Sequence, residues 1–253
     1  MAQASPREVF ELLASGKADA GVVPIESLVH GTVREIYDLL LEHDVWIRGE
    51  VIVPVRLCLA ALPGQGIADI DHVYSHVQAL AQADAFLRSR PWTLLASTNT
   101  ADAGRGIVKR RERGAAAVLS PRAAALHGLV PIARDIQTDP RNRTRFLVVV
   151  ARAALAESSA VPVADPARTT LAMWVHNEPG SLHRALGVFA RNHVNLSKLE
   201  SRPDPERAWD YVFWVDLDGD LGSGAGATVL EELGRETQKV RLMGTYPRAA
   251  EPG

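Results

Sequence analysis

The chain has 253 residues, of which 47% are hydrophobic and 23% are charged, and its formal net charge is −2. These values are typical of a globular protein with a packed core, built as one large domain or two modest ones. The small net charge gives no electrostatic reason to expect nucleic acid or an anionic membrane as a partner. Cys58 is the single cysteine, and neither a signal peptide nor a membrane-spanning apolar run is apparent, so the sequence predicts a cytoplasmic protein.

The first elements are a helix and a short buried strand. Ser5-Pro6-Arg7-Glu8 combines a capping serine with a proline at the first helical position, which predicts a helix to about Ser15. The apolar run Ala20 to Ile25 is typical of a buried strand, and Glu26 and Ser27 follow it. Open α/β sheets bind ligands at the carboxyl ends of their strands, although the same two residues also fit a helix cap beside a surface glutamate.

Three further predicted strands each end in polar residues that open a helix. These polar residues are Ser75, His76 and Gln78 after the first strand, Ser97 and Thr98 after the second, and Ser120 after the third. Free N–H groups at a helix start favour an anion, so the repetition predicts one ligand-binding crevice, although each junction alone also fits ordinary capping. Strands that alternate with helices predict a parallel sheet covered on both faces.

The segment Asn142 to Phe146, sequence NRTRF, precedes the apolar run Leu147 to Val150. The run is typical of a buried strand, so the polar segment before it is attached to a rigid scaffold. A hydroxyl between two guanidiniums suits the binding of a small dianion and the donation of a proton toward it. An ordinary polar loop before a strand has the same composition, and these five residues alone leave both interpretations open.

The composition changes to Ala, Ser, Pro and Asp between Ala151 and Arg168, which predicts a linker. Beyond it, the pattern strand, helix, strand, strand, helix, strand predicts a ferredoxin-like unit of about eighty residues. The predicted organisation is therefore a first domain over residues 1–150, a linker over 151–168 and a second domain over 169–248.

The motifs of the two halves together resemble those of the prephenate dehydratase family with a carboxyl-terminal ACT regulatory domain. In the catalytic half the matching motifs are GVVPIES (21–27), YSHVQALAQ (74–82), the pair Ser97-Thr98, and NRTRF (142–146). In the second half they are NEPGSLHRALGVFA (177–190) and NLSKLESRP (195–203). The resemblance covers nearly the whole chain.

The resemblance implies a two-lobed α/β catalytic domain similar to periplasmic binding proteins, followed by an α+β ferredoxin-like ACT domain. It implies a carbon–oxygen lyase of phenylalanine biosynthesis, which removes carbon dioxide and water from prephenate to give phenylpyruvate. Aromatisation drives this reaction, so no metal or other cofactor is expected. L-Phenylalanine would be the feedback effector, the chain would form a homodimer or homotetramer, and no nucleic-acid or membrane partner is expected.

The resemblance also implies roles for individual residues. Thr144 would protonate or hydrogen-bond the departing ring hydroxyl, and Arg145 would bind a substrate carboxylate. The other predicted substrate-binding residues are Asn142, Ser75, His76, Gln78, Ser97, Thr98, Glu26 and Phe146. The residues predicted to hold phenylalanine are Asn177, Pro179, Gly180, Ser181, Leu182, Glu200, Ser201, Arg202 and Pro203.

Three features depart from the family pattern. The chain opens where the family's second helix is expected, without the preceding strand, Gly-Pro-x-Gly-Thr loop and helix. Glu26-Ser27-Leu28 stands where Glu-Asn-Ser is usual, and Val77 stands where proline is usual. Two alternative functions therefore stay open, a non-aromatising prephenate decarboxylase and a non-catalytic phenylalanine sensor.

Overall fold

The computed structural model describes residues 3, 5–155, 163, 166–222 and 224–250. They fall into two compact units. Unit 1 contains the described residues of 1–27, 31–53 and 145–253, and unit 2 contains residues 28–30 and 54–144. Unit 2 is therefore, for the most part, an insertion into the chain of unit 1.

Thirteen strands and eight α-helices are described. Up to Leu155 they are α1 (Pro6–Ala14), β1 (Gly21–Ser27), β2 (Gly31–Thr32), α2 (Arg34–Glu42), β3 (Val45–Pro54), β4 (Cys58–Ala61), β5 (His72–Ser75), α3 (Val77–Gln82), α4 (Asp84–Leu87), β6 (Thr93–Ala96), α5 (Thr100–Arg110), β7 (Ala115–Leu119), α6 (Pro121–Leu126), β8 (Val130–Arg134) and β9 (Arg143–Ala151). The remainder are β10 (Ala167–Trp174), α7 (Ser181–Arg191), β11 (Leu196–Pro203), β12 (Tyr211–Asp218), α8 (Ala225–Glu236) and β13 (Lys239–Pro247). No helix within the described residues is long and apolar enough to cross a membrane.

Helix α1 begins and ends as the sequence predicts. The Ser5 hydroxyl accepts a hydrogen bond from the Glu8 N–H at 3.4 Å, and Pro6 occupies the first turn. After the helix, Gly16 has a φ of +65°, a left-handed conformation that glycine adopts without steric cost. Phe10 and Leu13 form its buried face.

The first sheet of unit 1 has the order β2-β1-β9-β3. Strand β1 pairs with β2 in the antiparallel sense, with Glu26 opposite Thr32. Helices α1 and α2 pack their apolar side chains into the same core as this sheet, where Ile36 and Leu40 are fully buried. The predicted strand at Leu147 to Val150 is confirmed as part of β9.

The sheet of unit 2 has the order β6-β5-β7-β4-β8. Strand β5 is parallel to β6 and to β7, as predicted for strands joined by helices. Strand β4 is antiparallel to both β7 and β8, so the prediction of an all-parallel sheet is wrong. Strands β7 and β8, which helix α6 joins, are thus parallel to each other, and β4 lies between them in the opposite direction.

The ferredoxin-like fold predicted for the carboxyl-terminal part is confirmed. Its antiparallel sheet has the order β11-β12-β10-β13. Helices α7 and α8 cover one face, where Leu171, Phe189 and Leu233 are fully buried. On the other face, Ala172 and Trp214 join the core formed by α1, α2 and the first sheet.

The predicted linker is described only at its two ends. Ala151 ends β9, and Arg152–Leu155 forms a turn of 3₁₀ helix. Residues 156–162, 164 and 165 lie outside the described residues. Strand β10 begins at Ala167, inside the predicted linker.

The two sheets of unit 1 approach each other closely at Gly244 of β13. A Cβ atom added at Gly244 would lie 2.2 Å from the carbonyl oxygen of Ile47 and 2.8 Å from the Ile47 Cβ. Gly244 pairs with Thr170, next to an irregularity in the register of β10 and β13. Only glycine permits this separation of the two backbones.

Substitution of Gly244 by alanine is therefore expected to destabilise the protein. The added methyl group must push β13 away from β3, which costs about 1–3 kcal/mol in the free energy of unfolding. The matched control is Gly234→Ala in α8, where nothing lies within 4 Å of the added Cβ. Alanine favours a helix interior by about 1 kcal/mol over glycine, so the control is expected to be neutral or stabilising. Denaturant unfolding measures both, and an unchanged midpoint for Gly244→Ala would contradict the close-approach argument.

Candidate functional site

Two of the predicted polar groups meet at one edge of the unit 2 sheet. The parallel register of β5 and β6 places Ser75 beside Ala96. The N–H of Ser97 continues this pairing and donates to the carbonyl oxygen of Ser75 at 2.8 Å. The residues that follow β5 and β6 therefore lie side by side at the carboxyl ends of the strands, as the sequence predicts for a ligand site.

Ser75 is fully buried, and its hydroxyl has a structural partner. The Ser75 Oγ donates to the carbonyl oxygen of Val118 in β7 at 2.6 Å. This bond links the end of β5 to its neighbour, so Ser75 contributes to the sheet in addition to any contact with a ligand.

His76 caps helix α3. Its Nδ1 accepts a hydrogen bond from the Gln78 N–H at 3.3 Å. In the neutral ring the proton is then on Nε2, which makes that atom a donor. The Gln78 side chain is exposed on the first turn of the same helix.

The segment after β6 is organised by the start of helix α5. Asn99 caps this helix, and its Oδ1 accepts from the Asp102 N–H at 2.7 Å. The Asp102 carboxylate accepts from the Thr98 hydroxyl at 3.1 Å, and the Ser97 hydroxyl donates to the Asn99 carbonyl oxygen at 2.7 Å. Ser97 and Thr98 are thus held by local hydrogen bonds, and Thr98 is exposed.

The backbone that precedes Thr144 is anchored within unit 2. The carbonyl oxygen of the buried Asn142 accepts from the Val55 N–H at 2.9 Å. The carbonyl oxygen of Arg143 accepts from the Leu28 N–H at 2.9 Å. Thr144 is the second residue of β9 and is half-buried. Its position is therefore fixed by a strand and by hydrogen bonds of the two preceding residues.

Arg145 makes three hydrogen bonds within unit 1, and its side chain is 11% exposed. Its Nε donates to Glu50 Oε2 at 2.6 Å, one terminal nitrogen donates to Asp216 Oδ2 at 2.5 Å, and the other donates to the Tyr246 hydroxyl at 3.0 Å. Burial lowers the pKa of the guanidinium, but Asp216, Tyr246 and Glu50 raise it by more, so the net pKa lies above its ordinary value. Arg145 is a permanent cation whose first partners are carboxylates of the protein.

The other predicted site residues of unit 1 are Glu26 and Phe146. The Glu26 carboxylate pairs with the Lys198 ammonium of β11 at 2.8 Å. Phe146 follows Arg145 in β9 and is half-buried.

The predicted effector residues lie at one end of the ACT sheet. Trp174 at the end of β10 and Arg202 near the end of β11 both oppose Val212 of β12, so the loop after β10 is at the same end as Arg202. Gly180 starts helix α7 with a φ of +82°. Of the other predicted residues, Ser181 is buried, Leu182 is half-buried, and Asn177, Pro179, Ser201 and Pro203 are exposed.

Two predicted effector residues contact the catalytic part of unit 1. Glu200 accepts a hydrogen bond from the Thr32 hydroxyl at 3.1 Å, and Arg202 forms an ion pair with Asp38 of α2 at 3.1 Å. These side chains and Lys198 lie on one side of β11, while Ser201 and Pro203 alternate with them on the other.

Sequence reasoning did not identify Glu50, Asp216 and Arg168, which form a buried charged cluster with Arg145. The available signal was a charged residue inside an apolar strand pattern, as in Val215-Asp216-Leu217. Such a residue must find a partner when it is buried. No group of three or more His, Cys, Asp or Glu side chains suited to a metal occurs in the part of the chain that the structure describes.

Substitution of Ser75 by alanine tests its structural contribution. Loss of the hydroxyl leaves the buried Val118 carbonyl without this donor, which is expected to cost about 1–3 kcal/mol in the free energy of unfolding. Ser89→Ala is the matched control, because the Ser89 hydroxyl makes the same type of bond to the Phe86 carbonyl in an exposed position. There water replaces the lost donor, and the change should stay within about 0.5 kcal/mol. Equal stability of the two variants in a denaturant titration would refute the structural contribution.

Comparison with known proteins gives matches over both halves of the chain. The sequence profile of prephenate dehydratase matches residues 1–154, and that of the ACT domain matches residues 169–235. A bifunctional chorismate mutase/prephenate dehydratase of Aquifex aeolicus is 38% identical over 96% of this chain and 65% of that protein. Arogenate dehydratase/prephenate dehydratase 2 of Arabidopsis thaliana is 37% identical over 94% of this chain and 64% of that protein. The chain therefore spans slightly less than two thirds of the length of these relatives.

Comparison with solved structures also finds similar proteins that align with nearly the whole chain. Prephenate dehydratase of Arthrobacter aurescens, in complex with L-Phe, is 30% identical with a TM-score of 0.86, covering 98% of this chain and 81% of that one. GqqA, described as a novel type of quorum quenching acylase, is 28% identical with a TM-score of 0.88, covering 100% of this chain and 89% of that one. The two sequence profiles together cover most of the chain, and its fold is similar to that of a solved prephenate dehydratase. The chain therefore belongs to the prephenate dehydratase family, with an ACT domain after the catalytic part.

Proposed function

We propose that the protein is a prephenate dehydratase, a carbon–oxygen lyase that converts prephenate to phenylpyruvate. The observation that carries this proposal is the match of residues 1–154 to the family profile, together with the anchored position of Thr144 in the NRTRF segment. We propose that the reaction takes place in the cytoplasm and belongs to phenylalanine biosynthesis.

The reaction breaks a carbon–carbon bond and a carbon–oxygen bond. Electrons of the bond to the ring carboxylate enter the ring, carbon dioxide leaves, and the ring hydroxyl departs from the opposite carbon. One proton converts the departing hydroxide to water, and the aromatic ring of phenylpyruvate results. A threonine hydroxyl is a weak acid, so Thr144 supplies a hydrogen bond that strengthens as the carbon–oxygen bond breaks.

The remaining residues of the proposed site bind and orient the substrate. Prephenate carries two carboxylates, which require donors with defined directions. In unit 2 the proposed donors are Asn142, Ser75, His76, Gln78, Ser97 and Thr98. In unit 1 the proposal includes Arg145, which has two N–H groups beyond those bonded to Glu50, Asp216 and Tyr246, together with Glu26 and Phe146.

Substitution of Thr144 provides the direct test. Thr144→Ala should lower kcat by a factor on the order of 10²–10⁴, the usual contribution of a positioned acid, while KM changes little. Thr144→Ser keeps the hydroxyl and should retain most of the activity. Release of phenylpyruvate from prephenate is the measurement.

The control for the Thr144 variants is Thr93→Ala, which removes a hydroxyl from an exposed residue of β6 in the same unit. It should leave kcat at the parental value. A Thr144→Ala enzyme within about threefold of the parent would remove Thr144 from the mechanism.

We also propose that L-phenylalanine binds at the ACT domain and inhibits from there. The structure of the Arthrobacter aurescens relative contains L-Phe, and the predicted effector residues of this chain share one end of the ACT sheet. Strand β11 is an edge strand of the ACT sheet, and among the described residues no strand pairs with its outer side. Pairing of this edge with a second copy would close it, so we propose a homodimer or a homotetramer.

Phenylalanine binding is tested by calorimetry on the intact protein and two variants. Gly180→Val forces a β-branched residue into a left-handed conformation, and Arg202→Ala removes a guanidinium from β11. Each should weaken binding by about tenfold or more, the equivalent of one charge-assisted hydrogen bond. Gly187→Ala within α7 is the control and should bind as the parent does. Parental affinity in both test variants would assign the effector to another location.

The same assays distinguish the proposed dehydratase from two alternative functions, a decarboxylase and a sensor. A non-aromatising decarboxylase would consume prephenate and release carbon dioxide without forming phenylpyruvate. A sensor would bind phenylalanine and leave prephenate unchanged. The similarity to GqqA adds an acylase as a third candidate enzyme, and amide hydrolysis of an acylated amine in the absence of prephenate turnover would favour it.

A further inference from the structure

Arg145 is the centre of a buried cluster of four charges. Glu50 has no exposed side-chain surface and accepts hydrogen bonds from Arg145 and from Arg168, the latter at 2.8 and 3.0 Å. The Ala249 N–H donates to the same carboxylate at 2.9 Å. With Asp216 the cluster contains two carboxylates and two guanidiniums, so its formal charges cancel. All of these residues belong to unit 1.

The cluster joins the strand of the NRTRF segment to the ACT sheet. Arg145 belongs to β9 and Glu50 to β3, whereas Asp216 belongs to β12 and Arg168 to β10. The Asp216 carboxylate also accepts from the Thr170 hydroxyl at 2.6 Å. Of the three polar partners of the Arg145 guanidinium, Glu50 therefore lies on the catalytic part, and Asp216 and Tyr246 lie on the ACT sheet.

Strand β11 connects this cluster to the predicted effector residues. Lys198 of β11 is the register partner of Asp216 in β12. Glu200 and Arg202 follow on the same side of β11 and contact the catalytic part through Thr32 and Asp38. A displacement of β11 thus changes the surroundings of Asp216 directly.

A small cavity, with space for about one water molecule, lies beside the cluster. Its lining residues are Ile25, Tyr37, Leu40, Arg145, Leu147, Thr170, Lys198, Trp214 and Asp216. The Trp214 Nε1 is buried and has no hydrogen-bond partner among the described residues. Arg145 and this unpaired donor therefore line the same small cavity.

We infer that Arg145, in addition to the substrate contact proposed above, transmits the state of the ACT sheet to Thr144 through its paired contacts with Glu50 and Asp216. This inference rests on the proposed function and specifies how the effector reaches the reaction. Thr144 immediately precedes Arg145 in the same strand, so its Cα lies about 3.8 Å from that of Arg145. A shift of the guanidinium toward Glu50 or toward Asp216 moves the β9 backbone that holds the Thr144 hydroxyl. A displacement of the hydroxyl by about 1 Å is enough to change a catalytic rate by about 10²-fold.

The test uses Tyr246→Phe and Asp216→Asn, which weaken the ACT side of the cluster to different degrees. Tyr246→Phe removes one hydroxyl and retains the buried ring, and Asp216→Asn retains the shape of the carboxylate. The matched control is Glu42→Gln, because Glu42 forms an exposed ion pair with Arg7 in the same unit. The measurements are kcat, KM and the inhibition by phenylalanine, together with calorimetric binding of phenylalanine.

The expected result is that the test variants still bind phenylalanine but are no longer inhibited by it. In the parent, phenylalanine should change the activity by about 5–150-fold, the usual scale of allosteric coupling. In Tyr246→Phe and Asp216→Asn this factor should fall toward one, with kcat reduced more than KM is changed, and phenylalanine should still bind. The Glu42→Gln control should behave as the parent in every measurement. Parental inhibition in both test variants would overturn the inference, even if KM rises, because that pattern is explained by the substrate contact of Arg145 alone.

Hydrogen exchange separates this inference from the proposed function. If the parent forms no phenylpyruvate, the proposed function fails, and the amides of residues 145–150 then provide the readout. Faster exchange there in Tyr246→Phe and Asp216→Asn than in Glu42→Gln supports the tie between the ACT sheet and β9. Equal exchange in all three variants and the parent would disprove that tie whatever the activity. Should Asp216→Asn fail to fold, the milder Tyr246→Phe variant decides the outcome.

Discussion

The structure of unit 1 depends on the buried ion pairs that Arg145 makes with Glu50 and Asp216. A charge that is removed from water must be paired with good geometry, because an unpaired one costs several kcal/mol. This requirement holds β9 in a defined position against β3 on one side and β12 on the other. Hydrophobic packing accompanies it, with the ring of Tyr37 in edge contact with that of Trp214 at 4.9 Å. Apolar contacts have no preferred direction, whereas these hydrogen bonds connect Arg145 to particular acceptors on both sheets.

Unit 2 uses a different principle, in which helix starts and strand ends supply polar groups at one edge of a sheet. His76 and Asn99 each accept a backbone N–H of the helix that they cap. The Ser75 hydroxyl satisfies a carbonyl of a neighbouring strand. These residues have structural partners that fix their orientation, so the edge is preorganised before any ligand arrives. Preorganised donors are effective in catalysis because they need no reorganisation as charge develops.

The relatives of this chain have similar folds but different described functions. They include bifunctional chorismate mutase/prephenate dehydratases, arogenate dehydratases and a protein described as a quorum quenching acylase. Fold similarity therefore leaves the substrate and the reaction to be decided by a few side chains.

The sequence by itself determined those features that depend on residues close together in the chain. The Ser5 cap of α1, the polar ends of β5 and β6, and the ferredoxin-like order of the ACT domain all follow from local patterns. The tertiary structure alone decided the antiparallel direction of β4 and the partners of Arg145. Glu50 and Asp216 are 95 and 71 residues away from Arg145 in the chain, and no local pattern specifies which buried carboxylate meets which guanidinium. Pairing of distant charges is fixed when the sheets pack, because only then does the loss of water require each charge to find a partner.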